Sequence, residues 1–330
     1  MLNKTVLVDL PIHTTALNFL KEKVQHVLTP YTAPPEEIRA LLPQVHGVIL
    51  GSALTFGGAE MDLAEKLEVI GRYGVGLDNV DVPAASERRL PLVFTPYGPT
   101  ESTAEHAFLL IQATARRLPL VDRAVRSGDF GISQQLQARG YELDGKALGV
   151  VGFGRIGRRV AEMCRGALHM QVYVFDPFLD AETVSAWGAT YVQDLIEMAG
   201  QVDILSIHAP FTPETHHLID EKVIRALKPG AILVNTSRGG LIDEPALIEA
   251  LQEGHLGGVG LDVYDPEPPA PDNPLFQLDH AVLTPHVGSF TDEGRQRMGL
   301  MVVEDTLSVL RGEKPQYLAN PQVWAHRRIP

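Results

Sequence analysis

The 330-residue chain contains one cysteine, Cys164, and aromatic residues make up 6% of it. A lone cysteine cannot form a disulfide within the chain, so we expect a reducing compartment and a small core residue at Cys164. No apolar run approaches the roughly 18 uninterrupted residues that a membrane-spanning helix needs. The first twenty residues also lack the apolar segment of a signal peptide. These absences predict a cytoplasmic protein that has no membrane partner.

Positive charge is scarce as well. The chain has 28 Lys and Arg against 41 Asp and Glu, which gives a formal net charge of -13. This balance argues against nucleic acid as a partner, because a polyanion requires a basic surface. Apolar residues make up 45% and charged residues 21%, as in ordinary globular proteins, and the length predicts two domains.

Metal-ligand spacing is missing too. His216 and His217 are adjacent, and neither cysteines nor carboxylates cluster with the spacing of a zinc site. We therefore expect these histidines on the surface and predict no metal site.

Short apolar runs alternate with helical patterns along the chain. The runs occupy residues 6–8, 24–28, 48–50, 69–70, 92–94, 148–151, 172–175, 202–207, 231–234, 259–263 and 281–283. Such alternation is typical of an α/β protein in which a parallel sheet is covered on both faces. Because the runs form two groups, we predict two doubly wound parallel-sheet units.

Two long helical patterns connect the groups. The first follows a capping box, Ser102 to Glu105, and ends before Pro119, while the second covers residues 293–311. The second pattern comes after the last strand of the second unit, so we expect the chain to return to the first unit.

This chain path predicts a discontinuous substrate-binding domain with a flavodoxin-like fold. It consists of residues 1–99 and 288–330, and a Rossmann cofactor domain of residues 100–287 is inserted into it. We expect ligands in the cleft between the two domains.

A dinucleotide-binding pattern lies near the middle of the chain. Gly152, Gly154 and Gly157 stand between an apolar run and a helical pattern, and Asp176 ends the next apolar run. The glycines permit a tight turn, close approach of a pyrophosphate and close packing of the helix on the strand. Asp176 would accept hydrogen bonds from the adenosine ribose and repel a 2'-phosphate. The pattern therefore predicts NAD as cofactor.

Three chemically active side chains follow later strands of this unit. Arg238, Glu267 and His286 each come after an apolar run, and the carboxyl ends of parallel strands are where ligands bind. Reduction of a carbonyl by hydride needs a proton donor, a cation that holds the substrate and a carboxylate that orients the donor. Taken singly, these residues could also be a loop histidine, a solvated acid and a charge at a strand end.

In these segments the chain resembles the D-isomer-specific 2-hydroxyacid dehydrogenases, from about residue 45 to residue 312. The matching segments are residues 71–80, 102–106, 148–157, 208–210, 235–239, 261–264, 267–268 and 285–288. The resemblance implies that Arg238 binds and polarises a 2-oxo acid. It also implies that His286 is the general acid in reduction, paired with Glu267.

Further site residues are implied by the same resemblance. Backbone amides at Val75 and Gly76 would hold the substrate carboxylate, and Arg72 would either bind substrate or be a solvated cation. The expected cofactor-binding residues, besides the three glycines and Asp176, are Thr103, Arg155, Ile156, His208, Pro210, Thr215, Thr236, Asp262 and Gly288. Asp262 would lie against the nicotinamide carboxamide. A homodimer through residues 118–141 is implied as well.

Two departures from the family pattern bear on the substrate. Members that act on 3-phosphoglycerate usually carry an arginine just after the third strand, whereas residues 51–56 of this chain contain no cation. Many of those members also have a C-terminal regulatory domain, which is the second difference. The loop of residues 266–275 and the segment 116–119 are more similar to glyoxylate and hydroxypyruvate reductases. Those enzymes often prefer NADPH, whereas Asp176 indicates NADH. We expect a hydroxypyruvate or glyoxylate reductase, with D-3-phosphoglycerate dehydrogenase as the alternative.

Two other functions are considered. Transcriptional corepressors share this fold and its catalytic residues, so an NAD-sensing interaction protein is the alternative from another class. Oxidation of formate or phosphite, which occurs in the same superfamily, is the other. Formate enzymes carry a distinctive Gln before the histidine, whereas this chain has Pro285 there.

Overall fold

The computed structural model describes residues 1–328 and divides into two compact units. The first unit consists of Met1–Thr100 and the described part of Phe290–Pro330. The second consists of Glu101–Ser289. Among the described residues, no helix combines the length and the apolar character needed to cross a bilayer.

Within residues 1–328 the regular elements are as follows. The strands are β1 Leu2–Val8, β2 Val24–Leu28, β3 Gly47–Leu50, β4 Val69–Arg72, β5 Leu92–Phe94, β6 Ala147–Val151, β7 Gln171–Phe175, β8 Thr190–Tyr191, β9 Ile204–Ile207, β10 Ile232–Asn235, β11 Gly258–Leu261 and β12 Ala281–Leu283. The α-helices are α1 Thr14–Lys23, α2 Pro35–Leu41, α3 Gly58–Leu63, α4 Val82–Glu87, α5 Thr100–Ala115, α6 Leu118–Arg126, α7 Arg155–Leu168, α8 Ala181–Ala186, α9 Leu195–Gln201, α10 Glu221–Ala226, α11 Glu244–Gln252 and α12 Asp292–Leu310. Short 3-10 helices cover Leu42–Gln44, Gly131–Gln134, Leu136–Ala138, Gly239–Leu241, Pro274–Gln277 and Pro321–His326.

The first unit is built on a five-stranded parallel sheet in the order β2-β1-β3-β4-β5, which is the flavodoxin-like order. Alternate residues of β1 face opposite sides of the sheet. Val6 and Val8 pack in the core beneath α1 and α12, whereas Leu7 packs in the core beneath α2, α3 and α4. A parallel sheet covered on both faces needs apolar residues throughout, and all four residues of β3 are buried.

The second unit has a seven-stranded parallel sheet in the order β12-β11-β10-β9-β6-β7-β8. β6 pairs with both β7 and β9, so the strand order reverses at β6, as in a Rossmann fold. Val150 packs with α5 and α7 on one face, and Val151 packs with α9, α10 and α11 on the other. The predicted fold class, with two doubly wound parallel sheets, is confirmed. This reversal also fixes the expected ligand position at the carboxyl ends of β6 and β9.

The predicted capping box at the start of α5 is wrong. The helix begins at Thr100, so Ser102 lies within its first turn and is buried. Pro99 directly precedes the helix. Proline is tolerated there because its missing backbone N–H would have no hydrogen-bond acceptor within the helix. The pattern also continues past Ala115 as a separate helix, α6, because Arg117 adopts a left-handed conformation with φ 50°.

Candidate active site

The glycine loop joins β6 to α7. Gly152 has φ +87°, and a side chain there would place Cβ 2.7 Å from the Ala209 backbone nitrogen. Gly157 faces Gly152, since a Cβ at Gly157 would lie 2.2 Å from the Gly152 carbonyl oxygen. Gly154 differs, because no protein atom lies within 4 Å of a Cβ built there. The fold therefore demands glycine at positions 152 and 157, while Gly154 leaves open space before the N-terminus of α7. A pyrophosphate fits that place.

Asp176 lies directly beside this loop. Its Oδ2 accepts a hydrogen bond from the Phe153 amide at 2.8 Å, and its Oδ1 accepts one from the Phe178 amide at 3.0 Å. The carboxylate is thus fixed at the end of β7, next to the glycine turn. This is where an adenosine ribose would lie in a Rossmann domain, so the acid fits NAD.

Two predicted cofactor residues carry polar atoms that are buried and unsatisfied. Among the described residues, neither His208 Nδ1 nor Thr236 Oγ1 has a hydrogen-bond partner. The His208 Nε2 atom lies 2.8 Å from Ser206 Oγ, and burial lowers the pKa of His208 to about 3. His208 is therefore neutral, and it and Thr236 follow neighbouring strands. A bound ligand that offers hydrogen-bonding groups would remove the free-energy cost of leaving these atoms unpaired.

The other predicted cofactor residues have varied surroundings. Thr215 Oγ1 donates to the Pro210 carbonyl oxygen at 2.8 Å and accepts from the Thr212 amide at 2.8 Å, so it stabilises its own turn. Thr103 is buried in α5. Arg155 is exposed and Ile156 half-buried in the first turn of α7.

The three predicted catalytic side chains come together at strand ends of the second unit. His286 Nδ1 lies 2.5 Å from Glu267 Oε1, and both side chains are about one-third exposed. Arg238 follows β10, where Gly239 contacts the next loop so closely that a Cβ there would lie 1.9 Å from the Tyr264 carbonyl carbon. This contact brings the loop of Arg238 against the loop that carries Glu267.

The neighbouring groups favour the ionised form of Glu267. Burial by itself raises the pKa of the Glu267 carboxyl, but hydrogen bonding and charge attraction from His286, the Tyr264 amide and the Arg238 guanidinium outweigh it. The net effect lowers the pKa of Glu267 below its usual range. Glu267 is therefore ionised at neutral pH and can stabilise a charged imidazole.

The backbone at His286 adopts an unusual conformation, with φ +55°. Its amide donates to the Asp262 carbonyl oxygen at 2.8 Å, while the Val287 and Gly288 amides donate to the Asp262 carboxylate at 2.9 and 2.7 Å. Asp262 is 1% exposed. It therefore holds the turn that carries His286, and its expected contact with the nicotinamide stays a prediction.

Two residues near Asp262 were missed by sequence reasoning. His106 and Thr284 both lie within hydrogen-bonding distance of each other and of the Asp262 carboxylate. Burial by itself raises the pKa of Asp262, but hydrogen bonds from His106, Thr284 and two backbone amides outweigh it, so the pKa is lowered. His106 stands in one of the segments that carry the family resemblance, which was the available signal.

In the first unit, Val75 is exposed and Gly76 is half-buried in the loop after β4. Arg72 is 4% exposed, so the reading of it as a solvated cation is wrong. Its Nε donates to Asn79 Oδ1 at 3.0 Å, and its guanidinium also donates to the Tyr73 carbonyl oxygen. These contacts place Arg72 beneath the loop that carries Val75 and Gly76. Substrate binding by these residues stays a prediction.

No group of three or more His, Cys, Asp or Glu within residues 1–328 is arranged to hold a metal ion. The predicted core position of Cys164 is confirmed, because the thiol is buried and burial raises its pKa to about 12. Cys164 is therefore protonated and unreactive.

Comparisons with known proteins agree with this geometry. Residues 108–288 match the family model described as D-isomer specific 2-hydroxyacid dehydrogenase, NAD binding domain. The chain is 38% identical over 307 residues to a D-3-phosphoglycerate dehydrogenase of Archaeoglobus fulgidus, which covers 93% of this chain and 57% of that protein. It is 41% identical over 263 residues to a glyoxylate reductase of Korarchaeum cryptofilum, which covers 79% of each. A crystal structure of a glyoxylate reductase from Paecilomyes thermophila is 29% identical with a TM-score of 0.86, and the match covers 98% of this chain and 100% of that one.

Proposed function

The chain belongs to the D-isomer specific 2-hydroxyacid dehydrogenase family, and we propose that it interconverts a small 2-oxo acid with its D-2-hydroxy acid, using NAD. The observation that carries this proposal is the grouping of Arg238, Glu267 and His286 on strand ends of the NAD-binding domain. The chain spans 57% of the length of the phosphoglycerate dehydrogenase reported above, so the activity is inferred from the site itself.

The residues that would hold NAD are those whose surroundings fit it. The amide-rich turn at Gly154 would take the pyrophosphate, Asp176 the ribose hydroxyls, and His208 Nδ1 and Thr236 Oγ1 would gain partners. NADH, when bound, supplies the hydride that reduces the 2-oxo carbon.

The protein side chains manage the proton and the charge. His286 Nδ1 donates to Glu267, which leaves Nε2 to hold the proton that passes to the carbonyl oxygen during reduction. Glu267 orients the ring and stabilises its charged form. Arg238 is suited to grip the carboxylate and the carbonyl oxygen together, because its guanidinium offers two parallel donors.

We infer that residues 1–99 with 288–330 form the substrate-binding domain and that residues 100–287 bind the cofactor. Val75 and Gly76 would contribute backbone amides to the substrate carboxylate. Arg72 would support their loop from below, because its donors already serve Asn79 and Tyr73.

For the substrate, we propose glyoxylate or hydroxypyruvate. Residues 51–56 supply no cation for a phosphate, and relatives with similarity over most of this chain are named glyoxylate reductases. D-3-phosphoglycerate is the second candidate, because other, longer relatives are named D-3-phosphoglycerate dehydrogenase.

We propose that the protein forms a homodimer through residues 118–141. This segment exposes several large apolar side chains, namely Leu118, Val125, Phe130, Leu136 and Tyr141. Phe130 and Leu136 are 78% and 84% exposed, which is unusual for a surface without a partner.

A panel of NADH oxidation assays tests the proposal. Glyoxylate, hydroxypyruvate, phosphohydroxypyruvate, pyruvate and branched 2-oxo acids are each assayed with NADH and with NADPH. We expect the highest kcat/KM for glyoxylate or hydroxypyruvate with NADH. Preference for phosphohydroxypyruvate would support the second candidate. No turnover on any 2-oxo acid, together with NAD-dependent binding of a partner protein, would instead support a corepressor-like function.

A further inference from the structure

His106 lies on α5, directly beneath the turn that carries His286. Its Nε2 is 2.9 Å from Thr284 Oγ1 and 3.3 Å from Asp262 Oδ1. The imidazole is 14% exposed and the Asp262 side chain 1% exposed, so the contact is shielded from water. A hydrogen bond of this kind, to a buried carboxylate, is stronger than one at a surface.

The hydrogens in this cluster can be assigned from its geometry. The Thr284 hydroxyl lies 2.6 Å from Asp262 Oδ1 and donates its proton there, since an ionised carboxylate can only accept. The Thr284 oxygen is therefore left as an acceptor for the His106 Nε2 proton. His106 thus donates from Nε2 to the threonine and the carboxylate together.

The same carboxylate holds the turn of residues 286–288. Asp262 accepts the amides of Val287 and Gly288, and its position is tight, because a Cβ at Gly288 would lie 2.9 Å from Asp262 Oδ2. His286 has a left-handed backbone, which a residue with a side chain adopts at a free-energy cost unless its surroundings hold it. Movement of the Asp262 carboxylate would therefore release the turn and redirect His286.

We propose that His106 is a positioning residue that, with Thr284, fixes the Asp262 carboxylate and thereby holds His286 in its catalytic orientation. The inference rests on the proposed function, in which His286 donates the proton. The polar contacts of His106 are with Thr284 and Asp262, so it acts on His286 through Asp262.

Three variants test this role. His106→Leu removes the donor, and His106→Gln retains an N–H near the place of Nε2. His255→Leu is the matched control, because the half-buried His255 ring also makes one hydrogen-bond contact, from Nε2 to the Ile224 carbonyl oxygen at 3.1 Å, in the segment before β11 and not at the turn. We expect His106→Leu to lower kcat about 10- to 100-fold, since small displacements of a reacting group are costly. KM for NADH should change by less than about threefold. His106→Gln should recover a large part of kcat, and His255→Leu should leave kcat unchanged.

A second readout is independent of turnover. Hydrogen–deuterium exchange of the cofactor-free protein reports on the amides of residues 286–288. We expect exchange there to be about tenfold faster in His106→Leu, with no change in the glycine loop, and to slow again in His106→Gln. This readout separates the two claims, because it remains valid even if no 2-oxo acid is turned over.

Thr284→Val completes the test. If the two side chains act through one carboxylate, the double variant with His106→Leu should lose no more activity than the worse single variant. The proposal is overturned by unchanged kcat and unchanged exchange in His106→Leu, by failure of His106→Gln to recover either, or by fully additive losses in the double variant.

Discussion

His286 and Glu267 are joined by a hydrogen bond, with 2.5 Å between Nδ1 and Oε1. Glu267 lies in the loop after β11, and His286 lies in the turn after β12. The hydrogen bond therefore connects the ends of two neighbouring strands. His286, the Tyr264 amide and Arg238 outweigh the effect of burial and lower the pKa of Glu267. The carboxylate is thus ionised at neutral pH.

Glu267→Gln should slow reduction. The amide carries no negative charge, so it cannot stabilise the charged imidazole that donates the proton, although it can still hold the ring by a hydrogen bond. We expect kcat for 2-oxo acid reduction to fall about tenfold or more, while the Kd for NADH stays the same. Asp272→Asn, an exposed acid in the same loop, is the control. Equal kcat values for Glu267→Gln and the wild type would remove the carboxylate from the reaction.

Arg238→Lys should impair substrate binding and turnover together. Lysine keeps the positive charge near Glu267 but loses the planar pair of donors. We expect kcat/KM for the 2-oxo acid to fall about tenfold or more, while the Kd for NADH stays the same. Arg225→Lys, in a surface ion pair with Glu249, should have no effect. Equal kcat/KM values in Arg238→Lys and the wild type would contradict a bidentate grip.

Asp176→Ser should weaken the preference for NADH. Removing the carboxylate removes its repulsion of a 2'-phosphate, so the ratio of kcat/KM for NADH to that for NADPH should drop about tenfold or more. KM for NADH should also rise, because the Phe153 amide in the glycine loop loses its acceptor. Asp180→Ser removes an exposed charge nearby and serves as control. An unchanged ratio in Asp176→Ser would refute its role in cofactor choice.

Asp9→Asn should stabilise the protein above about pH 6. Burial raises the pKa of Asp9 from 3.8 to about 6, although the Gly51 amide and Arg72 oppose the shift. The folded state therefore holds a proton between about pH 4 and pH 6 that the unfolded state has lost, and stability falls as pH rises through this window. Asparagine has no charge to bury, so its free energy of unfolding should exceed the wild type by on the order of 2–3 kcal/mol above that window.

Urea unfolding of both proteins at about pH 4 and about pH 7.5 measures this difference. The advantage of Asp9→Asn should be present at the higher pH and small at the lower one. A constant difference at both values would show that Asp9 is not a buried acid with a raised pKa.

The strands and the glycine loop could be predicted because their signals are local. The apolar runs at residues 92–94 and 281–283 coincide with β5 and β12, since a strand covered on both faces must be apolar. The run at residues 24–28 coincides with β2, although Gln25 and His26 within it are exposed. The two-residue strand β8 has no such run. Gly157 was predictable in the same way, because its close approach to the Gly152 carbonyl oxygen arises within one turn. Gly152 was predictable because the tight turn itself requires a positive φ, here +87°.

The support beneath the site could not be predicted, because it depends on distant partners. His106 and Thr284 are 178 positions apart, and neither residue type marks a buried cluster by itself. The sequence predicts Arg72 as either a substrate ligand or a solvated residue, whereas the half-buried side chain of Asn79 provides an acceptor for it. The prediction that the helix starts at Ser102 was wrong although its signal is local. The helix starts earlier, at Thr100, directly after Pro99.

The most direct measurement is single-turnover oxidation of bound NADH by wild type and His286→Ala at saturating glyoxylate and hydroxypyruvate. The account predicts that the rate falls by about 10² or more in His286→Ala, while the Kd for NADH, from fluorescence titration, stays nearly the same. His26→Ala, an exposed histidine of β2 in the first unit, should behave like the wild type. A near-normal rate in His286→Ala would show that another group donates the proton and would contradict the proposed active site.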